Sequence, residues 1–349
     1  MTALDADIAA MTAGLAAAAP IYQPSRFWTE LNRTHLDQLQ RLGFANFKRT
    51  VNQTYFNWLP RWRDNQFAAL RRHWWRGPAL QPWRCRLAPA PELERWGERD
   101  PLQSAWARRC YGWFVGLLWA HARRGDRLRL LDRLAEPELG NPLCVRWRGK
   151  LISQDLANSV RELYALLDHG RRALPSPLVV AELGAGYGRL HHPLHHALQC
   201  RSWIFDIPPA LAIAQRYLGE LFPQARVFRF RAFRGHADVA PELAASDFAF
   251  FTPDQLELLP DRAVHCFVNI SSLHEMRRDQ IEHLLLQMQR LCSERIYLKQ
   301  WLRSDNRADG IVIERADYRL GPDWRIALDR KDDVQDRFFE LVAERSERA

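Results

Sequence analysis

The segment VVAELGAGYGRL, residues 179–190, places one acid and three glycines at the end of an apolar run. Glu182 comes two positions before Gly184, and Gly186 and Gly188 follow at every second residue. Glycine permits a tight turn and lets a ligand approach bare backbone. A nucleotide-binding turn requires this order of strand, turn and helix, although a tight turn without a ligand gives the same pattern.

A second acid, Asp206, ends the next predicted strand, WIFD, about 20 residues further on, where a carboxylate would hold ribose hydroxyls. The glycine spacing differs from the dinucleotide pattern G-x-G-x-x-G, and Glu182 beside the turn would repel a pyrophosphate but attract a cation. S-adenosylmethionine (SAM) carries a sulfonium, an ammonium and a ribose but no phosphate. We therefore interpret the glycines, Glu182 and Asp206 as a SAM site, in which Tyr187 covers the methionine end or packs against the next helix.

Candidates for proton removal follow the predicted fourth strand, in NISSLHEM (269–276). Transfer of a methyl group from SAM needs an aligned nucleophile, and a nucleophile that carries a proton also needs a general base. His274 is the natural base because its pKa is near neutrality, and Glu275 is either the base itself or the group that orients the histidine. The alternative is a His-Glu pair that caps a helix and faces solvent. Asn269 and Ser271 are predicted to contact the methionine moiety or the substrate, or to form strand-end hydrogen bonds only.

Four histidines follow the glycines, at 191, 192, 195 and 196. They form two i,i+4 pairs, but no nearby acid completes a metal site, and none is predicted. A leucine stripe at 190, 194 and 198 predicts that these histidines lie on the solvated sides of a helix. The fifth predicted strand ends with Lys299, Gln300 and Trp301. These residues are predicted to face the ligand crevice at the carboxyl ends of the strands. The alternative is that Trp301 belongs to the core and Lys299 to a surface ion pair.

The motif E-L-G-A-G-Y-G resembles the first motif of class I SAM-dependent methyltransferases. This motif and seven further segments together make the chain similar to a family of sugar O-methyltransferases found among bacterial polysaccharide and antibiotic-sugar genes. These segments are NFKRTVNQTYFNW (46–58), LGNP (139–142), ISQDLANSVRELY (152–164), FDIPP (205–209), FTPDQL (251–256), NISSLHEM (269–276) and YLKQW (297–301).

This resemblance implies transfer of a methyl group to a sugar hydroxyl in a glycan, a nucleotide-sugar or a natural-product glycoside. The segment 269–272 reads Asn-Ile-Ser-Ser and lacks the Pro-Pro-Tyr turn of enzymes that methylate base amino groups. Two alternatives stay open. The first is an RNA ribose methyltransferase, with which the net charge of +9 is compatible. The second is a catalytically silent SAM-binding partner protein.

The alternation of short apolar runs and helical segments after residue 175 predicts an α/β, Rossmann-like class I methyltransferase sheet with helices on both faces. Its third strand is RVFRFRAF (226–233) or FAFFTP (248–253). Residues 1–150, which hold 11 of the 14 tryptophans, are predicted to form a mainly α-helical substrate or cover domain, and 151–349 the SAM-binding domain.

Within the first half, segment 45–63 reads as an amphipathic helix with Phe47, Val51, Tyr55 and Trp58 in the core and Lys48, Arg49 and Asn52 turned elsewhere, toward the site. Trp74, Trp75 and the arginines around them resemble a polyanion patch. Six cysteines without a CxxC pair, a start that makes a poor signal peptide and the lack of a membrane-length apolar run predict a cytoplasmic protein. The small-molecule or glycan acceptor is what the family resemblance implies.

Overall fold

The computed structural model describes residues 2–51, 64–74, 86–87, 104–143, 145–171 and 173–346, with the side chains of 73–74 and 86–87 left aside. The chain forms two compact units. The α/β unit contains residues 1–34, 165–332 and 337–349, and the helical unit contains residues 35–164 and 333–336. The division therefore does not follow a single boundary near residue 150.

The described helices are α1 (Ala3–Ala16), α2 (Arg26–Leu42), α3 (Asn65–Trp74), α4 (Ala105–Ala122), α5 (Leu130–Arg133), α6 (Gln154–Asp168), α7 (His191–Leu198), α8 (Ala210–Leu221), α9 (Ala240–Ala245) and α10 (Arg278–Leu291). The described strands are β1 (Arg86–Leu87), β2 (Val145–Trp147), β3 (Lys150–Ile152), β4 (Val179–Leu183), β5 (Arg201–Phe205), β6 (Val227–Phe228), β7 (Phe248–Phe251), β8 (Val264–Ile270), β9 (Cys292–Trp301), β10 (Arg303–Asn306), β11 (Ile311–Glu314), β12 (Trp324–Lys331) and β13 (Phe338–Arg345).

The α/β unit is built on an eight-stranded sheet, counted over the described residues, with the order β12-β13-β9-β8-β4-β5-β7-β6. The six strands from β9 to β6 are parallel. Strand β4 is buried at all five positions, as expected for a parallel strand covered on both faces. The predicted α/β sheet is confirmed, and β7 rather than β6 is the strand beside β5.

The strand order reverses at β4, because β5 lies on one side of it and β8 on the other. The carboxyl ends of β4 and β8 therefore form the topological switch point, where open α/β sheets bind their ligands. This edge of the sheet carries both the glycine turn after β4 and the segment NISSLHEM at the end of β8.

Helix α10 shows how the sequence covers this sheet. Its buried residues recur at helical spacing, at positions 280, 281, 284, 285, 288 and 291. Apart from Gln280, they join one apolar cluster with side chains of β4, β5, β7, β8 and β9.

The last fifty residues complete the sheet with an antiparallel hairpin. Strand β13 pairs antiparallel with both β9 and β12. Arg295 on β9 is buried under this hairpin and contacts Glu344 of β13 at 3.2 Å. Sequence reasoning assigned no role to this part of the chain.

In the helical unit, the central helix α4 buries Phe114, Val115, Leu118 and Trp119. The apolar segment YGWFVGLLWA (111–120) lies within this helix, and most of its residues are buried. Helix α2 ends before Gly43, which has a φ of 72°, a left-handed conformation that glycine commonly adopts just after a helix. Over the described residues, no helix combines the length and apolar character that crossing a membrane requires.

The prediction for segment 45–63 is partly wrong. Phe47 and Val51 are buried as predicted, but residues 44–50 form a short 3₁₀ helix and turns. Lys48 is also buried and contacts Glu136 at 2.6 Å, while Arg49 donates to backbone carbonyls of Asn141 and Pro142. These two cations therefore hold the helical unit together, because a buried charge must find partners.

Asn52, Tyr55, Trp58, Trp75 and Arg76 lie outside the described residues, so neither the rest of that segment nor the predicted polyanion patch is placed. Four cysteines, Cys110, Cys200, Cys266 and Cys292, are free and buried.

Candidate functional site

The glycine turn leaves β4 in a conformation that only glycine adopts easily. Gly184, Gly186 and Gly188 have φ angles of 70°, 60° and 79°. A Cβ atom on Gly184 would lie 2.0 Å from Oγ of Ser272, so no side chain fits there. The turn is thus packed against the segment after β8.

Asp206 fixes the turn from the neighbouring strand. Its Oδ2 accepts the N–H of Gly186 at 2.7 Å and its Oδ1 accepts the N–H of Ile207 at 2.7 Å. Burial raises the pKa of this carboxyl to about 7, against the lowering effect of the two N–H donors. Each oxygen keeps a lone pair that a ligand hydroxyl can use.

Glu182 does not stand alone as an acid beside the turn. It is buried on β4, and its Oε2 lies 3.1 Å from Nε2 of His191, which is itself fully buried. The prediction that the four histidines occupy the solvated sides of α7 is therefore wrong for His191 and His192, which are buried; His196 is exposed. The leucine spacing did not predict the burial of these two histidines, because α7 begins directly at the turn and its first residues pack against the sheet.

Tyr187, between the second and third glycines, is buried and packs edge-on against Tyr217 of α8, with ring centroids 5.3 Å apart. Of the two predictions for Tyr187, to cover the methionine end of SAM or to pack against the next helix, the structure shows the packing. Among the described residues, no group of three or more His, Cys, Asp or Glu side chains could hold a metal ion.

Asn269 ties the two strand ends together. Its Nδ2 donates to the carbonyl of Leu183 at 2.7 Å, and its Oδ1 accepts from the N–H of Leu273 at 3.3 Å. Gln300 of β9 donates from Nε2 to both the carbonyl and Oδ1 of Asn269, at 3.1 and 2.5 Å. The Asn269 side chain is fully buried, and these hydrogen bonds all join it to other parts of the protein. They are the strand-end hydrogen bonds that were predicted as the alternative to contact with the methionine moiety or the substrate.

His274 is buried at 1% exposure rather than turned to solvent. Its Nδ1 lies 3.0 Å from Oε1 of Gln300, and its ring stacks on Trp301 with centroids 4.7 Å apart. Because the Nε2 of Gln300 donates to Asn269, its Oε1 must accept, and His274 must carry a proton on Nδ1. Burial lowers the pKa of His274 to about 4, so the ring is neutral at pH 7.

Glu275 adjoins the free ring nitrogen of His274. Its Oε1 lies 3.0 Å from Nε2 of His274, and a hydrogen bond joins its side chain to that of Trp28. Among the described residues, Oε2 of Glu275 has no aligned hydrogen-bond partner. Burial raises the pKa of this carboxyl well above its usual range.

Ser271 and Lys299 meet at the ends of β8 and β9, where the N–H of Ser271 donates to the carbonyl of Lys299 at 2.8 Å. Ser271 is half-buried and has a φ of 54°, a left-handed conformation that non-glycine residues seldom adopt outside functional or strained sites. The side chain of Lys299 is 1% exposed and lies 3.0 Å from Asp332, so Lys299 belongs to a buried ion pair and not to the crevice.

Several residues of this site escaped sequence reasoning. Ser272 packs against Gly184. Gln300 was predicted to end the fifth strand near the crevice, but its bond to the His274 ring was not predicted. Ser25 and Asn306 donate to the backbone carbonyl of Glu275 from segments about 250 residues before and 31 residues after it. A sequence contains no local signal for such distant contacts.

Comparisons with known proteins come from structures only. No family model matches the chain, and no curated protein matches it. It is similar to a magnesium protoporphyrin IX methyltransferase from Synechocystis PCC 6803 with bound SAH, at 19% identity over 55% of this chain and 86% of that one, with a TM-score of 0.37.

Two further solved structures are similar to the chain. One is a 1,6-didemethyltoxoflavin-N1-methyltransferase from Burkholderia thailandensis, at 14% identity over 56% of this chain and 79% of that one, with a TM-score of 0.37. The other is a SAM-dependent methyltransferase from Aquifex aeolicus, at 12% identity over 65% and 97%, with a TM-score of 0.32. The fold assignment itself rests on the strand order of the chain's own sheet.

Proposed function

We propose that this protein is a SAM-dependent O-methyltransferase that acts on a sugar hydroxyl, carried by a glycan, a nucleotide-sugar or a natural-product glycoside. The observation that supports it most is the meeting of two elements at one edge of the sheet: the left-handed glycine turn after β4 with Asp206 beside it, and the buried His274–Glu275 pair after β8.

The residues of the turn fit the cofactor. Gly184 and Gly186 offer bare backbone to the methionine part, and the Asp206 carboxylate can accept from both ribose hydroxyls while it holds the turn. Glu182 adds negative charge under the turn, which suits a cationic ligand better than a phosphate. When bound, SAM supplies an electrophilic methyl group on a sulfonium.

The His274–Glu275 pair supplies the remaining chemistry. A sugar hydroxyl is a poor acid, so its proton must be removed as the methyl group is transferred. A neutral histidine at pH 7 accepts a proton, and its burial beside Trp301 excludes water that would compete with the acceptor. The assignment of a sugar as acceptor rests on the sequence resemblance.

Calorimetric titration of the full chain with S-adenosylhomocysteine tests the cofactor. We expect binding in the micromolar range, about −7 to −8 kcal/mol, and a loss of about tenfold to a hundredfold in Asp206→Ala, because charge-assisted hydrogen bonds are worth roughly 1.5–3 kcal/mol.

Asp126→Ala is the matched control for this titration. Asp126 is also buried and also accepts two backbone N–H groups, from Leu130 and Leu131, but it belongs to the helical unit. Unchanged affinity in Asp206→Ala, or an equal loss in both variants, contradicts the assigned site.

Transfer of a labelled methyl group to a panel of glycans, nucleotide-sugars and glycosides tests the acceptor. Methylation of RNA in the same assay, with steep loss of RNA binding as salt increases, would redirect the assignment to nucleic acid. Binding of the cofactor product without transfer to any acceptor would leave a SAM-binding partner protein.

A further inference from the structure

The 3₁₀ turn Leu273–Glu275 carries the candidate base pair, yet it is too short to be stable alone. Within it, the N–H groups of Glu275 and Met276 donate to the carbonyls three residues earlier. So few internal bonds do not offset the cost of ordering the backbone. Bonds from other segments must therefore fix the turn.

The sheet fixes the start of the turn, where side chains of β8 and β9 accept the N–H groups of Leu273 and His274 at 3.3 Å each. Its end is fixed by two other segments. The carbonyl of Glu275 accepts from Oγ of Ser25 at 3.1 Å and from Nδ2 of Asn306 at 3.2 Å. Both donors are buried, at 3% and 7% exposure. The turn is thus held between the sheet, the start of α2 and the end of β10.

Asn306 and Asp309 lock the connection between β10 and β11. Oδ1 of Asn306 accepts the N–H of Asp309 at 3.2 Å, and its Nδ2 donates to Oδ2 of Asp309 at 3.0 Å as well as to the Glu275 carbonyl. A backbone N–H can only donate and a carbonyl can only accept, so both ends of the Asn306 amide have assigned roles. The carboxylate of Asp309 is therefore fixed relative to Glu275.

Asp309 also caps α2. Its Oδ1 accepts the N–H of Arg26 at 3.1 Å, and its Oδ2 accepts the N–H of Phe27 at 3.4 Å. These are the first two residues of the helix, whose N–H groups have no partner within it, and the helix dipole favours a carboxylate at this end. Trp28 follows in the same helical turn, and a hydrogen bond joins its side chain to that of Glu275. The cap thus fixes the helical turn that contacts Glu275.

We propose that Asp309 and Asn306 are positioning residues of the candidate active site, and that they hold Glu275 in place directly and through the start of α2. The inference rests on the proposed function, in which the His274–Glu275 pair removes the acceptor's proton. The bonds form a closed cycle: Asp309 to the start of α2, Ser25 to Glu275, Glu275 to Asn306, and Asn306 to Asp309. Groups bonded in this way open together, so loss of the Asp309 carboxylate loosens the whole cycle.

Hydrogen exchange of the full chain, resolved to single residues, tests the cycle without any methyl transfer. In Asp309→Ala we expect the amides of 26–28 and of 273–276 to exchange faster by the same factor, about 5–30-fold, which is the effect that loss of a helix cap has on a local opening equilibrium. An increase confined to 26–28 would mean that the cap does not position Glu275, and it would overturn the proposal.

Asp238→Ala is the matched control for the exchange measurement. Asp238 lies in the same unit and also accepts two backbone N–H groups, from Arg234 and Gly235. Its loss should speed exchange around its own loop and leave the 3₁₀ turn unchanged. An equal change at the 3₁₀ turn in both variants contradicts the role of Asp309.

A conservative variant and the kinetics separate positioning from general stability. Asp309→Asn keeps a side-chain oxygen that accepts an N–H, so its exchange should stay near that of the wild type. In the methyl-transfer assay, Asp309→Ala should lower kcat by about tenfold to a hundredfold, the effect of a displaced catalytic group, with unchanged affinity for S-adenosylhomocysteine. Exchange in Asp309→Asn as fast as in Asp309→Ala, an unchanged kcat, or an equal loss of affinity contradicts the role.

If Asp309→Ala does not fold, the wild type decides. The amides of Arg26 and Phe27 should then exchange within about tenfold of those of Glu275 and Met276, because the cycle opens as one unit, and a larger difference overturns the proposal. Failure of the proposed function would appear separately, as a wild type that binds no S-adenosylhomocysteine while the exchange pattern remains as expected.

Discussion

Substitution of Gly184 by alanine measures how closely the glycine turn is packed against the end of β8. Two costs add. A left-handed backbone, here with a φ of 70°, costs a residue with a Cβ about 1–2 kcal/mol. The new Cβ would also lie 2.0 Å from Oγ and 2.4 Å from Cβ of Ser272, and such overpacking of a buried site costs about 1–3 kcal/mol. We expect Gly184→Ala to lower the free energy of unfolding by about 2–5 kcal/mol.

Gly310→Ala separates the two costs. Gly310 lies in the same unit with a φ of 68°, and a Cβ there would meet nothing within 4 Å, so only the backbone cost of about 1–2 kcal/mol applies. The assay is urea unfolding of the full chain followed by far-ultraviolet circular dichroism. The double variant Gly184→Ala/Ser272→Gly should recover the packing cost. Equal losses in Gly184→Ala and Gly310→Ala would refute the close approach of turn and strand end.

Two further predictions concern buried charge. Lys299→Met should lower the free energy of unfolding by about 3–5 kcal/mol, because it removes the cation that Asp332 contacts in the buried ion pair. In the same urea assay, the double variant Lys299→Met/Asp332→Leu should recover most of this loss. A loss below about 1 kcal/mol in the single variant would contradict the prediction. His274 has a pKa lowered from 6.5 to about 4, so between these values the unfolded chain binds a proton that the folded chain does not. The wild type should therefore lose stability relative to His274→Asn as pH falls from 7 to 4, by roughly 3 kcal/mol. A difference between the two proteins that is constant with pH would contradict this.

The sequence predicted the parallel part of the sheet and the meeting of the two candidate-site segments at one edge because both depend on local order. VVAEL is a buried strand, and the glycines must turn directly after it. The segment NISSLHEM follows a second buried strand, and parallel strands end at the same edge. Such features need only the alternation of apolar runs, turns and helices.

The errors came from contacts across the fold. The i,i+4 pattern of the four histidines is that of a surface helix, yet His191 is buried against Glu182 because the helix starts at the turn. Lys48 and Arg49 read as site residues but meet partners about 90 positions away. The protonation of His274 depends on Gln300, whose own orientation depends on Asn269. Periodicity contains no information on such chains of bonds.

The position of the first 34 residues within the α/β unit has a consequence for synthesis on the ribosome. Met11, Leu15 and Tyr22 are buried in the finished protein, and Ser25 bonds to Glu275, which is 250 residues away. At about 5–20 residues per second, the partners of this segment are made roughly 12–50 s after the segment itself. The apolar side chains of this segment therefore stay unburied until the later residues of the α/β unit have been translated, and that unit is completed only after the intervening helical unit has been synthesised.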